Sequence, residues 1–238
     1  WNDPTPGEEF PWNRRVLDPR HGCLKTVLCD FDGDGTQEII AAFSQEHESI
    51  DVFRPAGKRQ FERTTLYRAP DPAWGTSDFE VVDLDHNGRL DIVVCHGDTF
   101  DGGQLRPYQG IRWLRQLGDG TVEMHLLVGM PGVHRAVPAD LDGDGDLDLA
   151  AVALVPPSSA ASASGIRLAS VVWLEQTATG EFVPHVLEWN QLQHATCTVL
   201  DEDADGDLDI VVGHFHWEGE DRRLLTVLRN DGIAIGNR

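Results

Sequence analysis

Four short stretches of the chain set side-chain oxygens at alternate positions around a glycine. The first is Asp30, Asp32, Asp34, Gly35 and Glu38, and the frame returns as Asp83, Asp85, Asn87, Gly88 and Asp91. It recurs as Asp140, Asp142, Asp144, Gly145, Asp148 and as Asp201, Asp203, Asp205, Gly206, Asp209. Oxygens at positions 1, 3, 5 and 9, bent around a glycine at position 6 that tolerates positive φ, let one loop collect the roughly six to eight ligands of a hard cation such as Ca²⁺. Position 7 would add its backbone carbonyl, so Thr36, Arg89, Asp146 and Asp207 can differ freely in side chain. Up to four Ca²⁺ are therefore expected. A metal-free acidic turn is the alternative for any single loop, and four copies in register weigh against it.

These loops are not EF-hands, which place a carboxylate at position 12. Here position 12 is Ala41, Val94, Ala151 or Val212, inside the apolar runs EIIAAF, DIVVCH, DLAAVAL and DIVVGHF. Runs of that length, rich in β-branched residues, read as strands. The loops are 53, 57 and 61 residues apart, a period that suits propeller blades. Each period holds further strand-like runs: CLKTVLC, SIDVF and FERTTLY in the first; DFEVVD, IRWLRQL and TVEMHLLV in the second; HRAVPA, ASVVWLEQ and EFVPHVLE in the third; ATCTVL and RLLTVLRN in the fourth.

The expected fold is thus an all-β propeller of four four-stranded blades in a single domain over 1–238. The blades fall at approximately 21–67, 77–128, 133–188 and 194–230. The fourth runs out of chain before its outer strand. Residues 8–17, EEFPWNRRVL, match EFVPHVLE of the third repeat in their Glu-Phe start and Val-Leu finish. They are expected to supply that outer strand and close the ring, removing the open edges. The alternative is a larger propeller of which this chain is a part. PPSSAASASG, from Pro156 to Gly165, reads as a flexible surface loop.

A formal charge of −21 argues against nucleic acid or anionic membrane as a partner. Eighteen of the forty acids lie in the four loops, Glu202 included, so four Ca²⁺ would leave about −13. With no run of eighteen apolar residues, membrane insertion is not expected. The chain opens on Trp1 rather than Met, as a processed product or a segment of a longer chain would. Cys23, Cys29, Cys95 and Cys197 form no CxxC motif and read as small core thiols.

The pattern D-x-[DN]-x-D-G-x-x-D followed by Ile or Leu, once per blade, resembles the FG-GAP and VCBS repeats of integrin α-subunit-like propellers, bacterial surface proteins and some fungal lectins. HRAVPADLDGDGDLDLAAVAL and VVWLEQTATGEFVPHVLE look most like bacterial secreted VCBS-repeat proteins. The resemblance covers residues 8–230 and implies that Asp30, Asp32, Asp34, Glu38 and their counterparts are calcium ligands. His86 and Ala204 depart from the usual glycine at position 4, and Asn87 leaves the second loop with three carboxylates. The family includes adhesins, lectins, lyase-associated domains and complex subunits, so it does not select an activity.

If strands alternate in direction, the acidic loops occupy one face of the ring and the loops after second strands occupy the other. That second face would gather His21, His134 and His194 before first strands, and His96, His214, His216 and Trp217 after second strands. Asp98 lies there too, in the long loop HGDTFDGGQLRPYQG. Aromatic rings among polar groups suit a glycan or a peptide ligand, and these residues are the expected ligand site. The three histidines before first strands could instead hold a transition metal or simply cap strand entries. No nucleophile elbow, phosphate loop, dinucleotide fingerprint or zinc-protease helix occurs. The first reading is a calcium-stabilised, extracytoplasmic, non-catalytic binding or assembly module for glycan or protein. A lyase-like carbohydrate-active enzyme and a structural subunit of a larger assembly are the alternatives.

Overall fold

The computed structural model describes residues 15–45, 48–58, 60–100, 103–157, 165–216 and 224–232. Strands β1 (Cys23–Cys29), β2 (Glu38–Phe43), β3 (Ser49–Pro55) and β4 (Phe61–Arg68) form the first sheet. The second holds β5 (Thr76–Val82), β6 (Asp91–His96), β7 (Gly110–Gln116) and β8 (Val122–Gly129). The third holds β9 (Val133–Ala139), β10 (Asp148–Ala153), β11 (Ala169–Ala178) and β12 (Glu181–Trp189). The fourth holds β13 (His194–Leu200), β14 (Asp209–His214) and β15 (Leu225–Leu228). All neighbours pair antiparallel in chain order, and no helix occurs among the described residues. Accordingly none is long and apolar enough to cross a membrane.

Second strands are apolar along their whole length because both of their faces are covered. Side chains alternate across a strand, so Ile92 and Val94 meet Ile40, Ala42 and Val52 of the first sheet. Val93 and Cys95, on the other side of β6, meet Leu149 and Ala151 of the third. From β10, Ala150 and Val152 turn toward Ile210 and Val212 of the fourth. Each fully buried Ile, Val or Leu contributes roughly 1.5–3 kcal/mol, so the stack is held by its central strands. This is the blade arrangement of a β-propeller, as the period predicts.

The ring does not close among the described residues. The fourth sheet has three strands there, and nothing pairs with the outer edge of β15. Of the expected closing strand, residues 8–14 lie outside the described residues and 15–17 are not in a strand. On the outward face of the first sheet Ala41, Phe43 and Phe53 are buried, and side chains from residues 15–20 lie over it. The Arg20 guanidinium sits 4.0 Å over the Phe43 ring, and Arg15 lies 5.7 Å over Phe61. Arg20 is held in turn by Asp18 at 2.8 Å and by buried Asp51. An arginine stacked on the aromatic face turns an apolar blade surface into a polar one.

Cys95 and Cys197 are core residues, as expected, and Cys29 is half-buried against the core between the first two sheets, but Cys23 is exposed, paired across from Phe43 on the outward side of β1. Of the low-complexity loop, residues 158–164 lie outside the described residues.

Successive sheets are also tied by a repeated amide. Gln116, at the end of β7, donates to the Phe31 carbonyl of the first sheet's acidic loop at 2.8 Å and to Leu90 O at 3.0 Å. Gln176 does the same to Leu84 O at 3.3 Å and Leu147 O at 3.0 Å, and Asn230 to Leu141 O at 2.9 Å and Leu208 O at 3.4 Å. The register places Pro55 at the equivalent point of the first sheet, where it has no amide to offer. Replacing Gln176 by Leu leaves two buried carbonyls without this donor, and is expected to cost about 1–3 kcal/mol in urea unfolding. An unchanged midpoint would show that the amide carries no load between sheets.

Candidate functional site

The four acidic loops share one geometry. The position-6 N–H donates to the position-1 carboxylate in each: Gly35 to Asp30 at 3.0 Å, Gly88 to Asp83 at 2.8 Å, Gly145 to Asp140 at 3.1 Å and Gly206 to Asp201 at 3.1 Å. The position-7 N–H donates to the position-5 side chain, as from Thr36 to Asp34, Arg89 to Asn87, Asp146 to Asp144 and Asp207 to Asp205. These turns place the oxygens on the inside of the loop. Three carboxylate oxygens lie within 4.8 Å of one another in each: Asp30, Asp32, Glu38; Asp83, Asp85, Asp91; Asp140, Asp142, Asp144; and Asp201, Asp203, Asp209. Among the described residues no such group contains a histidine.

The donor set fits a hard cation. Asp30 Oδ1 and Asp85 Oδ1 are buried without a hydrogen-bond partner, and a buried anionic oxygen in that state calls for a positive charge. The position-9 carboxylate, however, has a second duty that the sequence does not show. Asp91 accepts Leu84 N–H on one oxygen at 3.3 Å and Gln116 N–H on the other at 2.8 Å. Asp148 holds Leu141 and Gln176, and Asp209 holds Glu202 and Asn230, in the same way. Glu38 bonds Phe31 N–H at 2.8 Å, and Pro55 leaves it no third-strand N–H.

The third loop stands apart in charge. In the other three an arginine at the end of the third strand meets the position-3 carboxylate: Arg54 on Asp32 at 3.1 Å, Arg115 on Asp85 at 2.7 Å, Arg229 on Asp203 at 3.7 Å. The third sheet has Glu175 at that register point, bonded to His185 at 2.7 Å. Burial, then the charges of Asp144, Glu175 and Asp140, raise the Asp142 carboxyl above its ordinary value. Arg89, placed among the candidate ligands for its carbonyl, sends its side chain to Gln116 O at 3.2 Å.

Position 4 explains the two departures noted in the sequence. Gly33 and Gly143 have φ of 75° and 76°, and His86 and Ala204 hold the same left-handed backbone at 53° and 63°. A Cβ there is strained by about 1–2 kcal/mol.

On the opposite face the structure brings His194 and His214 together and places the other expected ligand residues in differing degrees of burial. His96 is fully buried at the end of β6, edge-on to Tyr67 at 5.6 Å and to Trp74 at 6.4 Å. His194 is buried at the start of β13, with Nε2 2.5 Å from Glu188 and its ring 4.8 Å from that of His214. His214 reaches Thr226 at 2.8 Å. His134 is half-buried, His21 and His216 are exposed, and Trp217 lies outside the described residues. Asp98 caps a turn, accepting Phe100 N–H at 2.9 Å. Sequence reasoning passed over Tyr67, Trp74 and Arg112, which surround His96. The one signal for Trp74 is an indole inside a Pro- and Gly-bounded linker, DPAWG.

Residues 30–94 match the model of the FG-GAP-like repeat family. That segment, from the first acidic loop through the second and into β6, is similar to an FG-GAP-like repeat. The comparison with curated proteins gives no match. Among solved structures, the chain is similar to a lectin of Agrocybe aegerita described as specifically recognising non-reducing terminal N-acetylglucosamine, at 20% identity and a TM-score of 0.47. The match covers 79% of this chain and 46% of the lectin, so the chain spans under half of that protein's length.

Two outcomes follow from the geometry. Ala204→Gly relieves the left-handed backbone and is expected to stabilise by about 1 kcal/mol in chemical unfolding; a loss of stability would mean that the Cβ makes a needed contact. His96, pushed down to about 3 by burial and then by Arg112, stays neutral while the unfolded chain takes up a proton near 6.5. Its contribution to stability is therefore lost as pH falls below about 6.5 toward 3. An NMR titration showing its ring protonating near 6.5 would contradict that placement.

Proposed function

We propose that the chain is a calcium-stabilised propeller unit that works outside the cytoplasm as a non-catalytic module binding glycan or protein. The observation that carries this is the fourfold recurrence of an oxygen-lined loop in which three carboxylates converge within 4.8 Å. Without a cation each loop forces like charges together at the junction of first and second strands. With millimolar Ca²⁺ and a Kd of about 10⁻⁴ M, each occupied loop adds roughly 1.4 kcal/mol, and four add about 5–6. That is comparable with the whole stability of an ordinary domain. Sites of this affinity stay empty at cytosolic calcium levels, which supports an extracytoplasmic setting.

The third loop is the strongest candidate for occupancy, because no arginine competes for its carboxylates and Glu175 adds negative charge nearby. A rigid stack leaves the opposite face free to display loops, which supports a role in binding.

EDTA is expected to lower the melting temperature by many degrees, and an unchanged melt would remove calcium from the account. In calcium calorimetry Asp144→Ala should abolish the tightest site while leaving the remaining loops titratable; loss of a weak site instead would reverse the ranking. Glycan-array or native co-purification experiments in Ca²⁺ are expected to capture a partner without turnover. Product release from a polysaccharide would make the chain an enzyme.

A further inference from the structure

Between the first two sheets, at the strand ends remote from the acidic loops, Tyr67, Trp74, His96 and Arg112 form a cluster rich in donors and poor in acceptors. Arg112 is 6% exposed, yet no carboxylate among the described residues lies within ion-pair distance of it. Arg20, Arg54, Arg63, Arg115, Arg135 and Arg229 all have one. The Arg112 guanidinium donates from Nη2 to the Tyr108 carbonyl at 2.7 Å, lies 3.4 Å from His96 Nδ1 through Nη1, and stands 5.2 Å over the Trp74 ring. Burial pushes it below the usual arginine range.

A guanidinium can only donate, so His96 Nδ1 is the acceptor and its ring proton sits on Nε2. That Nε2–H, the Tyr67 hydroxyl and Trp74 Nε1–H are all buried, and none has a hydrogen-bond partner. Three orphaned donors and an unpaired cation meet within ring-contact distance. An orphaned buried donor is destabilising and a buried charge without a counter-charge more so, so an acceptor bearing negative charge is the missing component. Glu48, the nearby buried carboxylate, is committed to Gly75 N–H, Thr76 N–H and Thr76 Oγ1 at 2.7–2.8 Å. Its charge also disfavours a dianion such as phosphate, whereas a monoanion with two oxygens can take several donors at once.

We propose that the Tyr67–Trp74–His96–Arg112 cluster binds a carboxylate group. Tyr108 stacks on Trp74 at 4.1 Å, nearly parallel, and its hydroxyl donates to Ala73 O at 3.0 Å. Tyr108 thus covers the indole side of the cluster. The carboxylate belongs either to a small free acid or to an acidic sugar. The proposal deepens the reading of this face as the binding face, and rests on that reading for the biological role alone.

The test is calorimetric titration of the calcium-loaded protein at pH 7 with sodium acetate and with D-glucuronate, with D-glucose and sodium phosphate as controls. Saturable binding of a carboxylate, absent for glucose and weaker for phosphate, is expected. Glucuronate binding at least tenfold tighter than acetate identifies the sugar acid as the source; equal affinities identify the small acid. Tyr67→Phe, which deletes one donor, should weaken binding about five- to tenfold, and Arg112→Gln should abolish it. If Arg112→Gln does not fold, Tyr67→Phe alone decides. No saturable binding of either acid, or affinity unchanged in Tyr67→Phe, would overturn the proposal, as would a crystal structure in acetate with only water at His96 Nε2. Because this titration needs no partner, its failure leaves the capture of glycan or protein by the calcium-loaded module to stand or fall by itself.

Discussion

The carboxylate that opens each second strand is the point on which the rest of the stack depends. Asp91, Asp148 and Asp209 each bind the N–H of loop position 2 with one oxygen and the N–H at the end of the third strand with the other. One buried side chain thus joins the acidic loop, the central strand and the strand beside it. Trp173 Nε1 adds a bond to Asp148 at 2.9 Å. The peptide whose N–H is held belongs to the residue whose carbonyl accepts the amide of the next sheet, so the clamp within one blade and the tie between blades share a residue. Loop shape and inter-blade packing are mechanically one feature.

This explains why the acidic loops and the cores between sheets cannot be treated as separate modules. A loop that rearranged would move its position-2 carbonyl, and with it the anchor for Gln116, Gln176 or Asn230. The first sheet differs for the same reason: Pro55 gives neither a third-strand N–H to Glu38 nor an amide to a preceding blade. Its outward face is turned polar by Arg15 and Arg20. Among the described residues the two ends of the stack are consequently unlike, one covered by charge and the other ending in a three-stranded sheet.

The molecule also divides its electrostatics by face. Around the acidic loops, arginines at the ends of third strands offset part of the negative charge, except in the third sheet where Glu175 replaces them. At the other ends of the strands, around His96, the imbalance is reversed: donors and a guanidinium outnumber acceptors. Carboxylate excess thus lies at one pole and donor excess at the other, in a chain of formal charge −21.

Local chemistry was enough to read the loops, the strands and the blade period. Asp, Gly and β-branched residues act within about ten positions, and strands β1 to β15 fall where the apolar runs predicted them. The sequence also flagged His86 and Ala204 as departures, although positive φ, which gives the reason, appears only in the folded loop. Burial and partnership across sheets were beyond it. Nothing local distinguishes His96, sealed between Tyr67 and Trp74, from exposed His216, and nothing in the order of residues pairs Gln176 with Leu84. The closing strand drawn from residues 8–17 rested on likeness to another strand; residues 8–14 lie outside the described residues, and of the remainder Arg15 lies over Phe61. Periodic short-range patterns determine which segments become strands and loops; which side chains end up facing one another depends on the packing of whole sheets, and that only the tertiary structure decides.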